Sequence, residues 1–308
     1  MHRFKLRLFM TDQSLSKSFS ILEKWSDFKQ LTKVGLSMSV VFSSIAGYLL
    51  AAPIINYQTL ILLAIGGCCV VGASNAFNQI IEKEPDAIMA RTKNRPIPTG
   101  RMSVNTAMAI AVSLAFVGIL MLYSINPKTA LFGAISVFLY TSAYTPLKPI
   151  SPLSVFVGAI PGAIPFMLGW VAATGQFGIE AGVLFMIQFF WQFPHFWAIG
   201  WLQFEEYKKA GFNMMPTGEK NKKASKLIII YTLFMLVTSI VPVFRVTGDL
   251  YLLPISAILI FILGLVMLYF GIKLHKEQTN ISARRLMLSS VLYITLIQII
   301  FVIDKFLH

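Results

Sequence analysis

Leu60-Ile-Leu-Leu-Ala-Ile-Gly-Gly-Cys68-Cys69-Val-Val-Gly-Ala-Ser-Asn75-Ala-Phe-Asn78-Gln-Ile-Ile-Glu82 is an apolar run that ends in carboxamides and a carboxylate. No Asp, Glu, Lys or Arg falls between Leu60 and Ile81. About 20 such residues in a helix cross the hydrocarbon core of a bilayer. Only helices and closed barrels satisfy their backbone hydrogen bonds in lipid, and the alternation of a barrel strand is missing here. Eight further runs of this kind are centred near Ser43, Ser113, Val137, Gly162, Phe190, Leu236, Ile260 and Thr295. The 308 residues are 56% apolar and only 13% charged, against about 25% charge in a soluble domain. The expectation is an all-α, polytopic membrane bundle of nine transmembrane helices over residues 34–308. It is preceded by a cytoplasmic amphipathic segment, residues 1–33.

Charge placement orients the bundle. With the N-terminus inside, 23 of the 26 Lys and Arg fall before the first run or in the loops after the second, fourth, sixth and eighth runs. Only Lys128, Arg245 and Lys305 fall on the other side. That is the positive-inside pattern, and an odd number of helices puts His308 outside. The net charge of +13 then reflects topology and attraction to anionic lipid heads, with no nucleic-acid partner implied. The adjacent Cys68 and Cys69 are packing residues and form no disulfide framework. The first 33 residues hold no apolar core of signal-peptide length. Leu6, Leu8, Phe9, Phe19, Ile21, Leu22 and Trp25 among basic residues suit the membrane interface instead.

In so apolar a chain, polar residues near membrane depth carry the information. Three clusters map to the basic side. The first is Asn78, Glu82 and Asp86, spaced four apart, followed by Arg91, Lys93 and Arg95. The spacing puts the three oxygen-bearing side chains on one helix face. Such a stripe suits a hard cation, and beside a basic run it suits Mg²⁺ and phosphate together. A solvated helix end is the plainer reading, and Pro85 threatens the helical register at Asp86. The second cluster surrounds Lys148, which either snorkels to the interface or holds a phosphate as a point charge. The third contains Gln192 and His195 within Phe190-Trp191-Gln192-Phe-Pro194-His195-Phe-Trp197, then Glu205 and Glu206. The histidine is either a packing residue or a contact for a flat aromatic or metal-bearing ligand.

The first cluster resembles the N-x-x-x-D-x-x-x-D signature of the UbiA superfamily of intramembrane prenyltransferases, with Glu82 for the first Asp. Met89-Ala-Arg91-Thr-Lys93-Asn-Arg95-Pro96 resembles the M-x-R-T-x-x-R-P that continues it. Trp191-Gln192-Phe-Pro194-His195-Phe-Trp197-Ala resembles the W-Q-x-P-H-F-x-A of the branch that farnesylates protohaem IX, the haem O synthases. Glu206-Tyr-Lys-Lys-Ala-Gly211 is similar to their D-Y-x-x-A-G, again with Glu for Asp, and Tyr144–Trp170 is similar to their next stretch. The resemblance covers about Lys33 to Met215; the last three runs match in hydropathy alone.

The resemblance implies farnesyl transfer from farnesyl diphosphate to a vinyl group of haem B, with release of diphosphate. It implies Mg²⁺ held by Asn78, Glu82, Asp86, Glu205 and Glu206, and a diphosphate met by Arg91, Lys93, Arg95 and Lys148. It also implies haem contact at Gln192 and His195, a bacterial inner-membrane location with the site facing the cytoplasm, and a haem-handling or terminal oxidase assembly partner. Two alternatives stand: a sibling enzyme acting on a quinone precursor or chlorophyll-type ring, and a secondary transporter. A transporter more often shows repeats and broken helices at the midplane, whereas here the acids gather at one face.

Overall fold

The computed structural model describes residues 22–307, and regular structure among them is helical throughout. The elements are α1 (22–32), α2 (Val34–Ala51), α3 (Tyr57–Ile81), α4 (Lys83–Ile88), α5 (Val104–Tyr123) and α6 (Pro127–Phe138). A π-helical turn, Leu139–Tyr144, leads from α6 into the single turn α7 (Thr145–Leu147). Then come α8 (Ser154–Thr174), α9 (Ile179–Leu202), α10 (Phe204–Lys209), α11 (Lys222–Ile240), α12 (Pro254–Glu277) and α13 (Asn280–Lys305). Leu6, Leu8, Phe9, Phe19 and Ile21 of the expected interfacial segment lie outside the described residues. Leu22 and Trp25 within it are exposed on α1, where Trp25 stacks on Phe28.

Nine long helices among the described residues stand at the nine expected centres. Eight have the length and mean hydropathy of a membrane span. The ninth, α9, carries Gln188, Gln192, Pro194, His195 and three tryptophans, which lower its hydropathy without shortening it. Several spans begin where a side-chain oxygen can replace the missing backbone acceptor of a first turn. Asn56, Ser103, Asn126, Asn221 and Thr279 each accept from the backbone N–H three residues on. Cys68 and Cys69 are free; Cys68 Sγ lies 3.7 Å from Met38 Sδ.

Packing runs from each long helix to the next, and α13 returns to α2, where Gln298 Nε2 donates to Ser43 Oγ at 3.0 Å. The most enclosed helix is α8. It can cross α2 closely because a Cβ at Gly47 or Gly169 would strike the other helix's backbone. Small residues let membrane helices approach in this way, since no hydrophobic effect drives them together in lipid. Pro161 and Pro165 remove two donors from α8. Pro165 frees Pro161 O, which accepts from Ser136 Oγ at 3.4 Å, and Gln192 Nε2 adds a bond to Ala159 O nearby at 2.9 Å. Gln188 Oε1 accepts from Phe166 N at 3.2 Å.

Candidate active site at the mouth of the bundle

The stripe on α3 keeps its register. Glu82 is the joint between α3 and α4, and the ladder runs through it: Glu82 N donates to Asn78 O at 2.9 Å and Asp86 N to Glu82 O at 2.8 Å. Pro85 sits in the first turn of α4, where a missing backbone donor costs nothing, so it does not disturb Asp86. Asn78, Glu82 and Asp86 are all buried, and Asp86 is 0% exposed.

Each acid meets one base from another segment. Lys148 Nζ donates to Glu82 Oε1 at 2.6 Å, and Arg95 Nη1 to Asp86 Oδ2 at 2.5 Å. The π-helical turn delivers Lys148: its wider winding lets Thr145 Oγ1 donate to Tyr140 O at 2.7 Å and accept from Asn78 Nδ2 at 3.3 Å. Lys148 Nζ then lies 4.5 Å from the Tyr144 ring centre. Burial pulls the Lys148 ammonium down, but the Glu82 charge and hydrogen bond outweigh it and its proton affinity ends above the ordinary lysine range. Burial pushes the Asp86 carboxyl up, against the pull of Arg95.

Glu206 joins the second acidic loop to the first. Its Oε2 accepts from Ala90 N at 2.6 Å and its Oε1 from Lys209 Nζ at 2.9 Å, and these bonds, the Ala90 one first, hold its carboxyl below the ordinary range. Glu205 is exposed beside it. Arg91 and Lys93 lie on the exposed turn that carries Ala90, so of the basic run only Arg95 reaches the buried acids.

Lys33 is the residue that sequence reasoning passed over, having been counted as one more positive-inside charge. It separates α1 from α2 in the left-handed region, φ 47° and ψ 54°, which a lysine adopts only under constraint. Side-chain amides of α3 impose that constraint. Gln79 Nε2 donates to Gln30 O and Leu31 O at 3.0 and 2.8 Å, and Asn75 Nδ2 to Thr32 O at 3.3 Å. Burial, then the charges of Arg95 and Lys148, pull the Lys33 ammonium from 10.5 down to about 7, while Glu82 and Asp86 oppose them. Lys33 belongs electrostatically to the acid–base cluster and makes no ion pair within it.

The donor set suits a hard divalent cation. Asp86 Oδ1 is buried with no hydrogen-bond partner, although Oδ2 of the same carboxylate is held by Arg95. Orphaned buried oxygens are uncommon and ask for an explanation. Among the described residues no group of three or more His, Cys, Asp or Glu closes around an ion unaided. A magnesium ion does not require one, since it keeps waters and takes most of its remaining ligands from substrate phosphates.

The aromatic run on α9 divides its polar groups. Gln192 is spent on α8, as above. His195 Nδ1 lies 2.8 Å from Ser290 Oγ on α13, and its ring stacks on Trp191 at 4.7 Å between centres. Trp191 Nε1 donates to Ser290 O at 2.6 Å. His195 thus has Nδ1 fixed and no hydrogen bond on Nε2.

A helical bundle with paired carboxylates and cations gathered at one mouth has the construction of an intramembrane transferase of prenyl groups. The chain belongs to the UbiA prenyltransferase family, whose model matches residues 40–297. It is 64% identical over 287 residues to a protoheme IX farnesyltransferase of Flavobacterium psychrophilum, covering 92% of this chain and 96% of that one. In structure it is similar to a digeranylgeranylglyceryl phosphate synthase, with a TM-score of 0.78, 19% identity, and coverage of 93% of this chain and 100% of that one. It is also similar to a UbiA homologue of Archaeoglobus fulgidus bound to DMAPP and Mg²⁺, with a TM-score of 0.68, 14% identity, and coverage of 91% and 98%. The chain is an integral membrane protein.

Proposed function

We propose that this chain transfers the farnesyl group of farnesyl diphosphate to a vinyl group of haem B, giving haem O and diphosphate. The single observation that carries the site is Asp86, a fully buried carboxylate with one oxygen held by Arg95 and the other left without a partner. The 64% identity to a protoheme IX farnesyltransferase supports the choice of substrates.

In the reaction the bond between farnesyl C1 and its oxygen breaks, and the electron pair leaves with diphosphate. The terminal vinyl carbon bonds to C1, and the cation left on the adjacent carbon takes the oxygen of a water, which loses a proton. Charge builds on the leaving diphosphate, so positive groups waiting at that place lower the barrier. Lys148, Arg95 and Lys33 are those groups, drawn from three separate segments of the chain. Mg²⁺, when bound through Asn78, Glu82, Asp86 and Glu206, supplies further positive charge to the phosphate oxygens. Arg91 and Lys93 attract the anion from the rim, and Glu205, exposed beside Glu206, would attract the cation there. The apolar interior behind Tyr140 and Tyr144 takes the farnesyl tail and keeps water from the allylic cation until the vinyl group attacks. His195 contacts the haem. The site faces the cytoplasm of a bacterial inner membrane, with His308 outside.

The test is to incubate the purified protein with farnesyl diphosphate, haem B and Mg²⁺, then chromatograph the extracted haem. The expected result is a more retained haem formed one-to-one with diphosphate and lost on chelation. Unchanged haem, with prenylation of a quinone precursor instead, would overturn the choice of acceptor. No turnover with either would overturn the reading altogether.

A further inference from the structure

The connection from α10 to α11, residues 210–221, stands off the end of α9 and leaves a cavity of about 660 Å³ there. That lies within the roughly 300–1,000 Å³ of small-molecule sites. Gly211 and Gly218, in the left-handed region at φ 76° and 77°, bend the connection around it. The apolar lining is Phe204, Tyr207, Phe212, Met214 and Met215. The charged lining is Lys208, Lys220, Glu205 and Glu219. Among the described residues neither of these lysines forms an ion pair. Of the four charges only Lys220 is partly buried. Its Nζ lies 5.3 Å from the centre of the Phe204 ring and reaches Asn280 Oδ1 at 3.4 Å. A cation is therefore held over the cavity wall with no anion beside it.

The cavity shares a wall with the acid–base cluster. Within the lining, the Phe212 ring is 6.1 Å from that of Tyr207, and Lys148 Nζ is 5.7 Å from the Phe212 ring centre. Asn213 N donates to Lys148 O at 2.9 Å, which ties the connection to the segment that carries Lys148. Glu205 of the lining is the neighbour of Glu206, which reaches across to Ala90. A molecule in this cavity therefore has the cluster behind the Phe212 wall. At the other end it has the exposed charges of Glu205, Lys208 and Glu219.

We infer that this cavity seats the acceptor substrate, with Lys220 and Lys208 receiving its carboxylates at the mouth and its opposite edge turned toward Lys148. The inference rests on the proposed function, which makes the acceptor a planar apolar ring with two carboxylates on adjacent pyrroles and its vinyl groups on the other two. Carboxylates are expensive to bury, so they stay where the lining is charged and open to water. The ring takes the aromatic and methionine surface, which adapts to a flat guest. Held by its acidic edge, the ring presents its vinyl-bearing edge to the cluster. The cavity thus selects which group of the acceptor is alkylated. Glu205 and Glu219 are exposed, so water and salt screen their repulsion of a carboxylate. The same screening makes the exposed Lys208 the weaker of the two anchors.

The test uses Lys208→Gln, Lys220→Gln and the double variant, which remove the charges and leave the apolar lining intact. KM is measured for haem B, for its dimethyl ester and for farnesyl diphosphate. Each single variant should raise the KM for haem B about two- to fivefold, Lys220→Gln the more, and the double variant about four- to twenty-fivefold. The KM values for the diester and for farnesyl diphosphate should hold within about twofold, the scatter expected of a contact neither makes. Wild type should therefore prefer haem B to its diester, and the double variant should accept the two alike. Wild type with no such preference, or a double variant with an unchanged KM for haem B, would overturn the inference. Equal rises for haem B and its diester would also overturn it, since a disturbed connection would be the cause. A rise for farnesyl diphosphate alone would put the lysines on the path of the diphosphate and overturn it too. Wild-type protein that farnesylates no haem would overturn the proposed function itself, a result distinct from all of these.

Discussion

Diphosphate binding should draw a proton onto Lys33. In the free protein the Lys33 ammonium is held down at about 7 by burial and by the Arg95 and Lys148 charges. At pH about 8, roughly nine-tenths of free sites therefore carry a neutral amine, and at pH about 6 roughly one-tenth. A diphosphate brings several negative charges into the same space and restores the affinity for the proton. Binding at pH 8 should then take up nearly one proton per site at Lys33, and binding at pH 6 only about a tenth of one. Calorimetry with inorganic diphosphate and Mg²⁺, in two buffers of different ionisation enthalpy, reads that uptake. Lys33→Met keeps the length of the side chain and removes the titration. The diphosphate's own protons enter equally in both proteins, so the difference between them isolates Lys33. Equal uptake by wild type and Lys33→Met at pH 8 would refute the reasoning. The same shift has a stability consequence. A lysine whose proton affinity is lower in the folded state leaves the unfolded chain holding more protons between about 7 and 10.5, so stability rises with pH across that window. Lys33→Met should therefore raise the melting temperature of the ligand-free protein most below pH 7 and least near pH 10.5.

Asp86→Asn should lower turnover by about two to three orders of magnitude, because the amide has one donor end where a metal needs an oxygen, while Arg95 keeps an acceptor and the melting temperature moves little. Turnover retained at limiting Mg²⁺ would remove Asp86 from the site. Lys148→Met should destabilise by about 3–5 kcal/mol, since Glu82 is left buried and unpaired; adding Glu82→Gln should restore stability in thermal unfolding without restoring activity. Lys93 and Lys222 should react with a reagent confined to the cytoplasm, and a C-terminal reporter should be active only outside; a reporter active inside would show the orientation or the helix count to be wrong.

The bundle was legible because the membrane makes demands that composition records directly. Each of the nine runs had to be long and nearly uncharged to cross, and among the described residues nine long helices stand where they fall. The stripe of Asn78, Glu82 and Asp86 was legible from its spacing, although Pro85 argued against it. Its harmlessness depends on falling in the first turn of α4, which requires knowing that Glu82 is a joint. Lys148 and Arg95 were named, but their partners were not, because a contact across 66 residues or a turned loop leaves no periodic trace. Arg91 and Lys93 were named with equal weight to Arg95 and lie exposed, since a tight turn sends neighbouring residues in different directions. Lys33 was hidden by its surroundings: a basic residue before a first apolar run is what topology alone predicts. Its left-handed backbone comes from three hydrogen bonds made by Asn75 and Gln79, residues that read as ordinary members of α3.

The two ion pairs bear on how such a site can wait empty inside a membrane protein. A buried carboxylate without a partner is expensive, and so is a buried ammonium. Glu82 with Lys148 and Asp86 with Arg95 neutralise each other while no ligand is present, at 2.6 and 2.5 Å. If a metal and a diphosphate arrive together, each pair can exchange partners: the carboxylate turns to the metal and the cation to a phosphate oxygen. No step of that exchange leaves a lone charge in the apolar interior. A diphosphate arriving alone would find its cations already engaged, and a metal arriving alone would find its carboxylates engaged. Binding of each should therefore favour the other, with Lys33, which has no acid to release, as the first cation a phosphate meets. Separate titrations of Mg²⁺ and of diphosphate should each be weak, and each should tighten in the presence of the other. By linkage the two enhancements must be equal, and an affinity of either ligand unchanged by the other would rule the exchange out.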